Sequence, residues 1–114
     1  PPYVSIDAIH GDNNKELKAY HKAEVTSSDE KAGMAPNTEI KYAWSTDNTV
    51  APTEFDTLYT KNYETVSRVS FEIATPENVK GKYYLWILEG VEDRVGNPTT
   101  KPVCSEIYFN VDDV

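Results

Sequence analysis

Five oxygen-bearing residues near the end of this 114-residue chain have the right types for metal chemistry: Glu92, Asp93, Asn97, Asp112 and Asp113. Calcium takes about six to eight hard oxygen ligands, which carboxylates and amide carbonyls supply. Within the group, Asp93 and Asn97 are the metal candidates singled out. The same Asp-x-x-Gly-Asn spacing also has an explanation that needs no ion. Gly96 and Asn97 accept the positive φ that a tight turn demands, and an Asp at its start can cap backbone amides. No EF-hand loop accompanies the acidic residues, so the turn is the preferred reading and no cofactor is expected.

Other chemistry is thinly represented. His10 and His21 lie about ten residues apart, a spacing that matches no zinc signature. No GxSxG, HExxH, CxxC or phosphate-cradling glycine loop occurs. A glycosidase-type carboxylate pair needs a cleft to hold it, and a chain of this size offers little room for one. Catalysis is therefore not expected. The single cysteine, Cys104, precedes an apolar alternation (Ile107, Phe109, Val111) and reads as a half-buried, inert thiol.

Aromatic side chains supply the remaining candidate. In the run Tyr83–Leu88, if Leu85 and Ile87 line a core, then Tyr84, Trp86 and Leu88 point the other way. Exposed, that stripe is a binding patch for a protein or a flat stacking platform for a sugar. Covered by the aromatic-bearing connection 46–65, or turned inward itself, it is merely core. Both alternatives stay open at this stage.

These residues need strands to position them. Tyr3–Ile9 alternates Val4, Ile6 and Ala8 against Tyr3, Ser5 and Asp7. The stretch 17–26 fits a helix face or a strand, and its β-branched end favours the strand. Glu39–Ser45 places Ile40, Tyr42 and Trp44 inward, with Glu39, Lys41 and Ala43 outward. Residues 46–65 are too many for a bare loop and are expected to hold a short edge strand. Val66–Ile73 presents Val69, Phe71 and Ile73; Gly81–Val91 is the strongest strand; Ser105–Val111 closes the pattern. About seven strands separated by turn residues, with no long helical period, predict an all-β, two-sheet β-sandwich with Greek-key connections. Tyr42, Trp44, Leu85 and Ile87 are its expected structural residues, and Gly96 its expected turn glycine.

Composition agrees with one soluble domain. Hydrophobic residues make up 39% and charged residues 26%, enough to build a core without metal or disulfide staples. Eight tyrosines, two tryptophans, three phenylalanines and seven prolines favour sheet over helix. The net charge of −8 excludes a nucleic-acid partner, because no basic patch exists to neutralise phosphates. No apolar run reaches membrane-spanning length, so membrane insertion is not expected. The chain starts at Pro1, and Pro1-Pro2 and Asp112-Asp113-Val114 look like linker halves. Residues 1–114 are thus expected to form a single domain within a larger multi-domain chain.

The run YYLWILEGVEDRVGN (Tyr83–Asn97), followed by FNVDD (Phe109–Asp113), resembles the bacterial immunoglobulin-like (Big-type) repeats of cell-surface and secreted proteins. In those repeats a YYLxV strand and a D-x-x-G-N turn precede a last strand ending near VD. IKYAWSTD (Ile40–Asp47) and EVTSSDEKAGM (Glu24–Met34) are similar to their earlier segments. One departure is Glu89-Gly90, which lengthens the approach to the turn and implies a β-bulge. Trp44 takes the place of the third-strand tryptophan, without the cysteine pair on which that residue packs. Some Gram-positive surface domains cross-link an early Lys to a late Asn. Here Tyr3–Ile9 contains no lysine and Asn110 is expected to face outward, so that bond is not expected. The resemblance implies a non-catalytic spacer or interaction module, extracellular or on a bacterial surface, contacting neighbouring domains of its own chain. A glycan-binding accessory module and a calcium-rigidified linker are the other readings it leaves.

Overall fold

The computed structural model describes residues 3–10, 20–28, 33–34, 39–59, 68–76, 79–105 and 109–113. Eight strands run through them: β1 (Tyr3–His10), β2 (Tyr20–Ser28), β3 (Glu39–Ser45), β4 (Asp56–Tyr59), β5 (Arg68–Ala74), β6 (Val79–Ile87), β7 (Val103–Cys104) and β8 (Phe109–Asp113). No helix occurs among the described residues, so none there is long and apolar enough to cross a membrane. The ambiguous segment 17–26 resolves as strand from Tyr20 onward, while residues 17–19 lie outside the described set. The long β3–β5 connection does contain a short strand, β4.

All pairings among the described residues are antiparallel. One sheet has the order β1-β2-β5; the other has the order β4-β3-β6-β7, with β8 also paired to β6. Pleat alternation then decides which side chains meet. Val4 is buried and Tyr3 is 71% exposed, as the alternation along β1 requires. Val4 and Ile73 from the first sheet join Ile40, Leu85, Ile87, Met34 and Val91 in one buried cluster. Ile6, Tyr42, Trp44, Leu58, Tyr83 and Val103 pack around its margin. Burying a side chain of this size is worth about 1.5–3 kcal/mol, so this cluster supplies much of the drive to fold. The Trp44 indole N–H also donates to the Ala74 carbonyl at 2.9 Å, tying β3 to the end of β5 in the other sheet.

Two expected elements differ. The strand expected over Gly81–Val91 begins earlier, at Val79, and ends at Ile87. Beyond Ile87 the chain leaves β6, so Gly90, with φ +106°, lies outside the strand and is not a bulge within it. There its N–H meets the Thr99 carbonyl and hydroxyl, both at 3.0 Å. The last strand also differs. Trp86 faces Cys104 and Tyr83 faces Phe109: three positions back along β6 but five forward on its partner. The closing strand expected over Ser105–Val111 is described from Phe109 to Asp113, and β7 lies before its expected start. Residues 106–108, including Ile107, lie outside the described set.

Candidate functional site

Three regions carry the residues singled out by type and spacing: the turn after β6, the face of β6 away from the core, and the β3–β4 surface.

The turn grows from a small hairpin. Thr99 N–H donates to the Val91 carbonyl at 2.9 Å, and Glu92 pairs with Pro98 across it. At its tip, Gly96 adopts φ +89°, which a side chain strains to reach and glycine reaches freely. Asp93 organises the rest. Its Oδ1 accepts the N–H groups of Val95 (3.0 Å) and Asn97 (2.8 Å), and its Oδ2 accepts from Asn97 Nδ2 at 3.3 Å. Asp93 is only 2% exposed. Burial pushes its carboxyl upward, but the hydrogen bonds from Asn97 and Val95 outweigh that and hold it below the usual carboxylate range. The hairpin is anchored in turn by residues 33–34. Arg94 N–H donates to the Gly33 carbonyl at 2.9 Å, and Met34, itself 2% exposed, pairs with Asp93.

This geometry corrects the calcium grouping. Asn97 donates to Asp93 through both its backbone N–H and its Nδ2. The terminal aspartates are elsewhere: Asp112 stands opposite Lys80 and Asp113 opposite Val79, at the start of β6. Nine residues of strand, about 27 Å, separate them from the turn beyond Ile87. Among the described residues, no group of three or more His, Cys, Asp or Glu side chains is placed to hold a metal.

For the aromatic stripe on β6 the structure decides between the two alternatives. The stripe does face away from Leu85 and Ile87, yet it is not an exposed patch. Trp86 is 6% and Leu88 8% exposed, and Tyr84 is half-buried. Ala43, opposite Trp86, is buried as well, although alternation sends it outward. The Trp86 indole N–H donates to the Asp47 carbonyl at 2.9 Å, fastening the start of the β3–β4 connection to this face. Asp47 also shapes that connection. Its Oδ1 accepts Thr49 N–H and Thr49 Oγ1–H, both at 2.7 Å, and Val50 N–H at 3.2 Å. The Thr49 backbone bond, then its hydroxyl and the Val50 bond, hold the Asp47 carboxyl below its ordinary value. Cys104, opposite Trp86, is half-buried and free, and burial followed by the nearby Asp47 charge pushes its thiol pKa up. That is the opposite of what activates a nucleophile.

Besides Tyr3 on β1, the exposed aromatics among the described residues are Phe55 (46%), just before β4, and Tyr59 (63%), at its end. Their place in the long connection suggests a cover for Trp86, but they face solvent. The register of β4 against β3 places Tyr59 opposite Glu39, a neighbour that no local sequence pattern discloses. His10 and His21 lie in β1 and β2, and their side chains fall outside the described set, as does that of Asn110.

Comparison of the chain with protein families, curated proteins and solved structures finds no match.

Proposed function

We propose that the chain is an immunoglobulin-like β-sandwich of the Big-type kind, acting as a non-catalytic spacer or protein-interaction module of a bacterial surface or secreted protein. The observation that carries this reading is where the strands leave the chain's two ends. Tyr3 pairs with Ser28, and Ser28 with Arg68, at one end of the first sheet. Ala74 pairs with Lys22 at the opposite end, and five residues later Val79 begins β6 opposite Asp113. Tyr3 and Asp113 therefore lie at opposite ends of the strand direction, so copies joined in series extend rather than fold back.

The strand order supports the sandwich. The chain passes between the two sheets from β2 to β3, from β4 to β5 and from β5 to β6, as Greek-key connections do. The shared core drawing Val4 and Ile73 against Ile40, Leu85 and Ile87 supports it too. The residues of the resemblance fall on fitting elements: YYLWI in β6, DRVGN in the Asp93 turn, IKYAWS in β3.

Small-angle scattering on two copies joined directly, Val114 to Pro1, tests the spacer role. A maximum dimension close to twice that of one copy is the expected result. A side-by-side pair little longer than a single copy rules the role out.

A further inference from the structure

The outward face of β3 and β4 holds a chain of contacts that a spacer does not require. Tyr59 O–H donates to Glu39 Oε2 at 3.2 Å. Glu39 Oε1 lies 3.9 Å from Lys41 Nζ, and that ammonium stands 5.4 Å from the centre of the Phe55 ring. The register explains the grouping. Glu39 is opposite Tyr59 and Lys41 opposite Thr57, so all of them share the face away from buried Ile40 and half-buried Leu58. Two exposed rings, four residues or about 13 Å apart along the extended chain, thus flank a carboxylate and an ammonium. Each ring is steadied by a charged residue of β3, which lowers the entropy lost when a ligand orders it.

We propose that this face binds a neutral oligosaccharide, with Phe55 and Tyr59 as stacking rings and Glu39, Lys41 and Thr57 as hydrogen-bonding groups between them. A sugar ring presents polarised C–H bonds on its flat side, and the negative face of an aromatic ring attracts them. Its hydroxyls then accept from Lys41, donate to Glu39 and do either with Thr57. The Glu39 and Lys41 charges cancel locally, while the chain's net charge of −8 repels acidic sugars. A protein partner fits less well, because a flat apolar surface has to strip water from the ion pair at the centre of the site. A polyhydroxy ligand replaces that water bond for bond. The site stands apart from the spacer role, since it needs only β3 and β4.

Isothermal titration calorimetry with hexasaccharides of β-1,4-glucose, β-1,4-xylose, β-1,4-N-acetylglucosamine and α-1,4-glucose, and with hexagalacturonate as an acidic control, tests the proposal. At least one neutral sugar binds with a dissociation constant of roughly 10 μM to 1 mM, and the acidic one does not. Phe55→Ala and Tyr59→Ala each weaken binding about tenfold or more, with the thermal midpoint unchanged because both rings are exposed. Trp86→Phe leaves the affinity unaltered. No binding by any neutral sugar at about 5 mM, or binding that survives Phe55→Ala and Tyr59→Ala together, overturns the proposal.

Discussion

The two faces of β6 are both dry, but they are kept dry in different ways. Leu85 and Ile87 (0% and 1% exposed) lie in the cluster drawn from both sheets, where Val4, Ile40 and Ile73 close around them. Trp86 and Leu88 (6% and 8%) lie outside that cluster, on the far side of the strand. There a hydrogen bond runs from the Trp86 indole to Asp47, at the head of a turn that Asp47 itself shapes. Similar exposure therefore conceals unlike support. The inner face is held by many neighbours that fold as a unit, whereas the outer face depends on a local turn that can open by itself.

Matched truncations on the two faces sharpen this contrast. Leu85→Ala leaves a cavity in the shared core and is expected to cost about 3–5 kcal/mol, near the upper part of the range for such changes. Leu88→Ala, on the outer face, is expected near the lower end, about 2 kcal/mol, because the turn can settle into the space. Urea unfolding of both variants measures the difference, and equal costs erase the distinction between the faces. Trp86→Phe keeps most of the apolar surface and removes one hydrogen bond, for about 1 kcal/mol. Its more telling signature is faster amide exchange at Thr49 and Val50, with Leu85 and Ile87 unchanged. Uniform acceleration along the chain contradicts an independently opening turn.

Smaller effects belong to the hairpin beyond β6. A methyl added at Gly96 meets no atom within 4 Å, so the cost of Gly96→Ala comes from its φ of +89° alone. The expected loss is about 1 kcal/mol by thermal unfolding. A stability unchanged or raised shows that the turn has another backbone form available. Last comes acid sensitivity. Asp47 and Asp93 both have carboxyl pKa values below the ordinary one. Each binds fewer protons folded than unfolded, so its contribution is complete above the unfolded pKa of about 3.9 and is lost as pH falls through the folded value. Asp93→Asn is expected to be less stable at neutral pH and to show a shallower stability loss below about pH 4. An acid limb identical to that of the parent chain removes Asp93 as a contributor.

Much of the strand pattern is legible in the sequence. Glu39–Ser45 can be read with its boundaries intact, because Ile40, Tyr42 and Trp44 alternate with Glu39, Lys41 and Ala43, although the burial of Ala43 on the other face is not legible there. The short strand in the long connection follows from loop-length limits alone. What misleads is β6, since a run of continuous hydrophobic residues has no alternation to say which side is wet. The end of β6 is obscured for the same reason: Leu88 and Val91 are buried like the strand residues, yet lie outside the ladder. The sequence points to Tyr84 and Trp86 for an aromatic platform, whereas Phe55 and Tyr59 are the exposed rings beside β3. Neither ring belongs to a strong periodic pattern, and only the register of β4 against β3 sets them beside Glu39 and Lys41.

Local chemistry in this chain is written in neighbouring residues. The Asp93–Asn97 turn and the alternation of β1 and β3 rest on φ preferences, hydrogen bonds and side-chain periodicity spanning a few positions. Such interactions are readable from the order of the amino acids. The fate of Trp86, the separation of Asp112 and Asp113 from Asp93, and the Phe55–Lys41–Glu39–Tyr59 array were decided only by tertiary structure. Each depends on which strand lies beside which, and in what register. That choice is made by the combined burial of Val4, Ile40, Ile73, Leu85 and Ile87, residues that β1, β3, β5 and β6 bring together from distant parts of the chain.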